Sequence, residues 1–558
     1  MSRPWAPHYD PGVPLEVTVP QETLPGLLVR AATRSPRASA LVFFGKKTTY
    51  SQLLDQVRRL ARAFQNLGLG PGDRLAVLLP NCPQLAAAYH AILSLGGMAV
   101  LLNPLLSPAE IAYQLNDSGS RVLVVLDHLL PKVHEAAGEI NLEHMVVTGL
   151  PDALPWPLSW LYPFKARRQG LATGFRPGPG RHRWRDLLQT PPLTDPPSTD
   201  PGDTAVLQYT GGTTGIPKAA RLSHRNLLAN VVQINAWLTR LQYGAERVVG
   251  LIPFFHSFGL TVCLNWPLSQ GAAVLILPKF DIKTFLGLLR KHRPTVLPGV
   301  PTLFVALINH PDLPKIDFSQ MWACISGSAP LPREVRDRFE KLTGCRILEG
   351  YGLTEAGPVT HLNPYYQDRP PGSMGLPFPS TLAKIVDAEE GRRDLPPEEV
   401  GELVVQGPQV MSGYWQQPEE TALVLRDGWL FTGDLAKMDE NGYFYIIDRK
   451  KDLIIDGGFK IYPREVEEVL FQHPQVQEVV AYGVPDPYRG ERVKVAVVPQ
   501  PGAELSDEDI IEYCRPRLAE YKLPKIVEFR SELPKSMVGK VLRRLLREGE
   551  PGSESLRP

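Results

Sequence analysis

Residues 209–218 read Tyr209, Thr210, Gly211, Gly212, Thr213, Thr214, Gly215, Ile216, Pro217, Lys218, directly after the apolar run Ala205, Val206, Leu207, which predicts the end of a buried strand. Glycines let the backbone take positive φ and turn its N–H groups toward an anion. Thr210, Thr213 and Thr214 add hydroxyl donors and Lys218 a positive charge. This is the chemistry of a loop that holds phosphate, and a nucleoside triphosphate is the obvious anion. A Walker A loop would need Gly-Lys followed directly by Ser or Thr. Here Pro217 precedes Lys218 and Ala219 follows it, so that reading fails; taken alone, a Gly- and Thr-rich surface turn stays open.

Further stretches supply what such an anion needs if a carboxylate attacks its α-phosphorus: charge neutralisation at the departing pyrophosphate, a seat for the nucleoside and a mobile cation. Glu349, Gly350, Tyr351, Gly352, Leu353, Thr354 and Glu355 place a ring face between glycines that admit a flat ligand; by itself this pattern is a turn. Thr432, Gly433 and Asp434 offer a carboxylate able to accept from two ribose hydroxyls. Asp448, Arg449, Lys450, Lys451 and Asp452 form a charge run where the composition changes, which suits a linker better than a solvated face. Near the end, Leu533, Pro534 and Lys535 lead to Gly539 and Lys540, whose ammonium could bridge carboxylate and α-phosphate and then leave.

In this order the motifs resemble those of the adenylate-forming superfamily, which includes acyl-CoA synthetases, firefly luciferase and the adenylation domains of peptide synthetases. They span residues 209–540, and the general texture extends into the N-terminal half. Ala219, where many members carry Gly, is a departure that leaves the phosphate-facing groups untouched. The resemblance implies that Thr210, Gly211, Gly212, Thr213, Thr214, Gly215 and Lys218 hold the pyrophosphate end of ATP. It implies that Gly350, Tyr351 and Gly352 pack the adenine and that Asp434 and Arg449 hold the ribose; Gly327 and Ser328 join this nucleotide-binding set. Thr354 is then a phosphate contact, Glu355 the Mg2+ ligand, Lys540 the adenylation lysine, and Lys451 the hinge about which a C-terminal domain rotates.

Peptide synthetase adenylation domains place an Asp after the fourth core strand to bind the substrate's α-amino group. Here the segment reads Pro253, Phe254, Phe255, His256, Ser257, Phe258, Gly259, Leu260, with no acid. An ammonium would have no partner there, and the lining suits an alkyl or aryl chain. His256, Phe258 and Leu260 are the candidate substrate pocket; for His256 a satisfied core histidine stays open. Gly457 and Gly458, just after the hinge, are placed to flank a tunnel for pantetheine, which agrees with CoA as acceptor. The resemblance, closest to bacterial long-chain fatty acid CoA ligases, implies activation of a medium- or long-chain fatty acid to acyl-AMP and transfer to CoA, with ATP, Mg2+ and CoA. An aryl acid CoA ligase, a CoA-independent acyl-AMP ligase feeding a carrier protein, and a non-catalytic binding protein are the alternatives.

A chain of 558 residues exceeds what one hydrophobic core supports, so two or more domains are expected. Sixty Lys and Arg against 59 Asp and Glu leave a net charge of +1, which gives no reason to expect a nucleic acid partner. Five scattered cysteines without Cys-x-x-Cys spacing argue against a disulfide framework or a zinc site and fit a reducing cytoplasm. Residues 1–24 lack the apolar core of a signal peptide, and no run of about 18 apolar residues exists, so a soluble protein is expected.

The elements that must position these groups follow from periodicity. Leu53, Leu54, Val57, Leu60, Phe64 and Leu67 recur at helical steps before Gly68; short apolar runs at 75–79, 98–102 and 121–126 alternate with helical patterns at 83–95 and from Ser107, whose Glu110 completes a capping box. A helix from Ser223 and strands near 248–251, 273–277, 295–297 and 321–325 continue the alternation. Past Gly372 short strands such as 402–406 and 429–431 follow, and then helices at 463–472 and 506–518 with strands at 478–484 and 493–498. The expected fold is α/β: a large N-terminal region of doubly wound parallel sheets plus a β-rich subdomain (1–448), and a small mobile C-terminal α+β domain (449–558) carrying Lys540. Residues 154–168 interrupt the pattern with Trp156, Trp160, Tyr162 and Phe164 beside Lys165, Arg167 and Arg168. That composition suits peripheral contact with a membrane, at the inner surface, or an insertion packed on its own domain; a homodimer is equally open.

Overall fold

Short parallel strands alternate with helices in the computed structural model, which describes residues 3–168, 175–210, 217–536 and 539–547. One sheet runs in the order Arg181–Arg183, His144–Thr148, Val122–Leu126, Arg74–Leu78, Met98–Leu101, Thr204–Thr210, Lys218–Ser223, parallel except for the last pair. A second runs Leu376–Pro377, Val359–Leu362, Arg346–Gly352, Ala323–Ser326, Val296–Gly299, Arg247–Gly250, Ala273–Ile276, Ser39–Phe43, Lys46–Thr49, parallel in its centre and antiparallel at both ends. Strands such as Val122–Leu126 are buried along their whole length because helices cover both faces, which is why they read as unbroken apolar runs. The α/β expectation is met.

Local signals place the helices. Ser107 Oγ accepts from Glu110 N at 3.3 Å while Glu110 Oε2 accepts from Ser107 N at 2.8 Å, so the predicted capping box forms. Ser223 caps His224–Trp237 in the same way with Asn226. The helix expected over 506–518 ends at Cys514, two residues before Pro516; Arg515 keeps helical backbone angles, but Pro516 has no N–H with which to continue the ladder.

The β-rich part is an antiparallel sheet in the order Leu382–Val386, Gly401–Gln406, Trp429–Met438, Leu425–Arg426, with Phe444–Arg449 also paired to Trp429–Met438. Its core is continuous with that of the two large sheets, from Trp5 to Phe444. Residues 454–461, 476–499 and 526–529 contribute strands to a separate sheet over its own buried set, including Ile454, Val466, Leu470, Val493 and Ile510. The interrupting segment forms a helix, Leu158–Arg168, and leaves Trp156 83% and Trp160 64% exposed. All five cysteines are buried thiols, and no helix among the described residues is long and apolar enough to cross a membrane.

Candidate active site

Tyr209 and Thr210 end one strand and Lys218 begins its antiparallel partner, with Thr210 opposite Lys218 in register. The strands that flank the phosphate-loop candidate are therefore paired with each other; Gly211, Gly212, Thr213, Thr214 and Gly215 lie outside the described residues. Tyr209, Thr210 and Lys218 open onto a cleft of about 550 Å³. Lys218 is buried there, and its ammonium is paired with the carboxylate of Glu420.

The opposite walls carry the other predicted groups. Gly327, Ser328, Gly350, Tyr351, Gly352, Thr354, Glu355, Asp434, Arg449, Lys451 and Lys540 all line this cleft. The Tyr351 hydroxyl donates to Asp434 Oδ2 at 2.6 Å, and Arg449 Nε lies 3.2 Å from Asp434 Oδ1. A bulge aims Asp434: Glu402 pairs with Leu435 and Val404 with Phe431, so Thr432, Gly433 and Asp434 together oppose Leu403. Gly433 takes φ +70°, the left-handed region this bulge requires.

The glycines around Tyr351 have a reason other than ligand approach. A Cβ on Gly352 would fall 2.1 Å from Pro358 O, and one on Gly350 would fall 2.7 Å from Leu362 Cδ1. They let the returning strand Val359–Leu362 pack closely, which holds Tyr351 and Thr354 in place. Thr354 Oγ1 sits 3.3 Å from Ser257 Oγ.

Glu355 lines the cleft, with Oε1 accepting from the Tyr414 hydroxyl at 2.9 Å. One hard carboxylate is what Mg2+ asks of a protein when phosphates and water complete its shell, and among the described residues no cluster of three or more His, Cys, Asp or Glu could hold a metal. Ser326 Oγ is buried at the cleft wall with no hydrogen-bond partner among the described residues, a polar group that a bound substrate would satisfy. The cleft thus fits a nucleotide and its magnesium.

His256 and Phe258 line the apolar end together with Ile234, Val262, Leu362 and Phe378. Burial lowers the His256 pKa to about 4, and the charge of Lys540 adds to this, so the imidazole is neutral. Leu260 is buried one step into the π-helix Gly259–Asn265 and is not among the lining residues, because the wide turn rotates it toward the core. Gly457 and Gly458 occupy the exposed turn between Ile454–Asp456 and Phe459–Ile461, and the cleft does not include them.

Lys540 reaches the cleft from the segment after Lys535. Burial lowers its pKa to about 8; Arg449 and Lys451 push the same way, while Asp434 and Asp452 oppose them. Its ammonium is partly deprotonated at neutral pH and ready to gain from an anion. The sequence reading missed Tyr414, Glu420, Glu402 and Lys450, which also line the cleft. Gly413 and the Pro418, Glu419, Glu420, Thr421 run mark a turn and a helix start, but nothing in their spacing points to Lys218, 202 positions away.

An α/β fold that gathers Tyr209, Thr210, Lys218, Tyr351, Glu355, Asp434, Arg449 and Lys540 around one cleft defines the class of α/β nucleotide-binding enzymes. The chain belongs to the AMP-binding enzyme family: that family's description matches residues 28–415, and its C-terminal domain matches residues 465–540. It is 47% identical to the long-chain-fatty-acid–CoA ligase of Bacillus subtilis over 98% of each chain, and 40% identical to that of Escherichia coli O6:H1 over 99% of each. Its fold superposes on ATP-bound MatB from Rhodopseudomonas palustris with a TM-score of 0.83 at 32% identity, covering 94% of this chain and 99% of MatB.

Proposed function

We propose that this protein is an ATP-dependent, AMP-forming ligase that joins a long-chain fatty acid to CoA. The observation that carries the reading is the convergence of Tyr209, Thr210, Lys218, Tyr351, Asp434, Arg449 and Lys540 on a single cleft whose far end is apolar. Asp434 and Arg449 hold the ribose, Tyr351 packs the adenine, and Thr210, Lys218 and the glycines and threonines between them in sequence take the outer phosphates. Glu355 would hold Mg2+, which when bound would supply charge neutralisation on the triphosphate. The fatty acid lies along His256 and Phe258 with its carboxylate near Lys540. A neutral His256 places no second cation beside that carboxylate, leaving Lys540 to bridge it to the α-phosphate as charge develops. Attack forms acyl-AMP and expels pyrophosphate. The domain of residues 449–558 then turns about Lys451 and brings Gly457 and Gly458 beside the acyl-adenylate, where the CoA thiol displaces AMP.

The test is pyrophosphate release and thiol consumption over saturated acids from C2 to C18, benzoates and cinnamates. Maximal turnover on long saturated chains is expected. Preference for the aromatic acids, or acyl-AMP accumulating while CoA stays unconsumed, sinks the reading.

The aromatic helix supports a second element of the proposal, peripheral contact with an anionic membrane surface. Trp160 and Phe164 stack edge to face at 5.5 Å and stand exposed, with Trp156 and the exposed Arg167 and Arg168 nearby in sequence. Sedimentation with anionic vesicles should fall several-fold in W156A/W160A/F164A; unchanged binding removes this element.

A further inference from the structure

Arg449, Lys450, Lys451 and Lys540 bring four cations to one wall of the cleft. Like charges at this spacing repel, and burial weakens the screening that water would give. The carboxylate of Asp434 answers Arg449, and Glu402 answers Lys450. Glu402 is itself unusual. It sits within the strand Gly401–Gln406, only 6% exposed, where an ionised side chain is costly unless it is fully partnered. Its two oxygens have two different partners: Oε1 accepts from Gly433 N at 3.1 Å, and Oε2 meets Lys450 Nζ at 3.1 Å.

Those partners belong to separate parts of the machinery. Gly433 is the bulge residue that presents Asp434. Lys450 follows directly on Arg449, the last residue of the strand paired with Trp429–Met438, and begins the single helical turn Lys450–Asp452 that leads to the sheet of the C-terminal part. We infer that Glu402 is a positioning residue that ties the nucleotide-holding bulge to the root of the hinge, so that Lys540 is delivered in register with the ribose carboxylate. This rests on the ligase reading above. Glu402 touches no reacting atom; it acts through Lys450 on where Lys540 lands.

Two substitutions separate the halves of the bond pair. Lys450→Gln removes the charge tether at a half-exposed side chain and leaves the Gly433 bond intact. Glu402→Gln keeps an amide oxygen for Gly433 N while losing the tether, whereas Glu402→Ala loses both. In fatty-acid-dependent ATP–pyrophosphate exchange, K450Q and E402Q should each lower kcat about five- to tenfold with KM for ATP within twofold, as for one partly exposed charge pair. The double variant E402Q/K450Q should be no worse than E402Q alone. In a K540A background, E402Q should produce no further loss, because the residue it positions is gone. E402A should raise KM for ATP in addition. Additive losses in E402Q/K540A, or a K450Q whose only change is in KM, overturn the inference. A wild-type enzyme without exchange overturns the ligase reading and this inference with it, a result distinguishable from either of those.

Discussion

The hydroxyl of Tyr351 lies 2.6 Å from Asp434 Oδ2, a bond between residues 83 positions apart that joins the end of a parallel-sheet strand to the bulge of the β-rich sheet. It fixes the distance between the ring proposed to pack the adenine and the carboxylate proposed to hold the ribose. Tyr351→Phe keeps the ring and frees the carboxylate. KM for ATP should rise about three- to tenfold, the net worth of one ordinary hydrogen bond, since Arg449 still holds the carboxylate, with kcat nearly unchanged. An unchanged KM in initial-rate assays would show that Arg449 alone orients Asp434.

Lys540 is expected to serve the first half-reaction only. Lys540→Ala should lose about 10² to 10³-fold in pyrophosphate exchange, by analogy with the removal of one transition-state donor, while supplied acyl-AMP is still converted to acyl-CoA. Equal losses in both half-reactions would contradict this division.

The same lysine sets an alkaline limit. Its pKa is lowered to about 8 by burial and by Arg449 and Lys451, and the ammonium is the working form. kcat/KM for ATP in adenylation should therefore be level below that pH and fall as pH rises through about 8, approaching roughly tenfold per unit. A profile flat to pH 9.5 would place the working proton elsewhere.

Tyr414 orients the Glu355 carboxylate, the proposed magnesium ligand, through its 2.9 Å bond to Oε1. Tyr414→Phe should raise the Mg2+ concentration for half-maximal activity several-fold, at saturating ATP, with smaller change in the limiting rate; support of a ligating carboxylate is worth about 10- to 100-fold in metal affinity where it is strongest. An unaltered Mg2+ dependence would leave Tyr414 with packing alone.

The N-terminal arm is a structural strap. Asp10, 3% exposed, accepts from the backbone N–H groups of Tyr365, Tyr366 and Gln367. Asp10→Ala would remove a buried acceptor from three backbone donors at half-buried or exposed residues and should cost about 1 to 2 kcal/mol. Denaturant midpoints for the wild type and the variant measure this, and a shift near zero would mean that water replaces the carboxylate.

Helix caps, apolar runs and the motifs around Tyr209, Tyr351, Asp434 and Lys540 were legible because each depends on neighbours within a few positions. Ser107 needs only Glu110, and a strand buried on both faces needs only its own side chains. Leu260 was misplaced for a tertiary reason: the π-helix Gly259–Asn265 turns it from the cleft, and Gly259 permits this because a Cβ there would lie 2.0 Å from Pro253 O. At Gly350 and Gly352, chosen in the sequence as an opening for a flat ligand, the structure shows another need for glycine, the tight return of Val359–Leu362.

By itself the sequence determined that the Gly- and Thr-rich 209–218 stretch, the Tyr351 and Asp434 motifs and a late lysine occur in one chain with alternating strands and helices. Only the tertiary structure decided that Glu420 meets Lys218, that Tyr414 meets Glu355 and that Glu402 joins Gly433 to Lys450. Those partners come from strands and turns tens to hundreds of residues apart, and a charge pair across such a separation has no local periodicity to announce it. The low dielectric of the folded cleft, not the spacing of residues along the chain, makes each buried charge find its opposite.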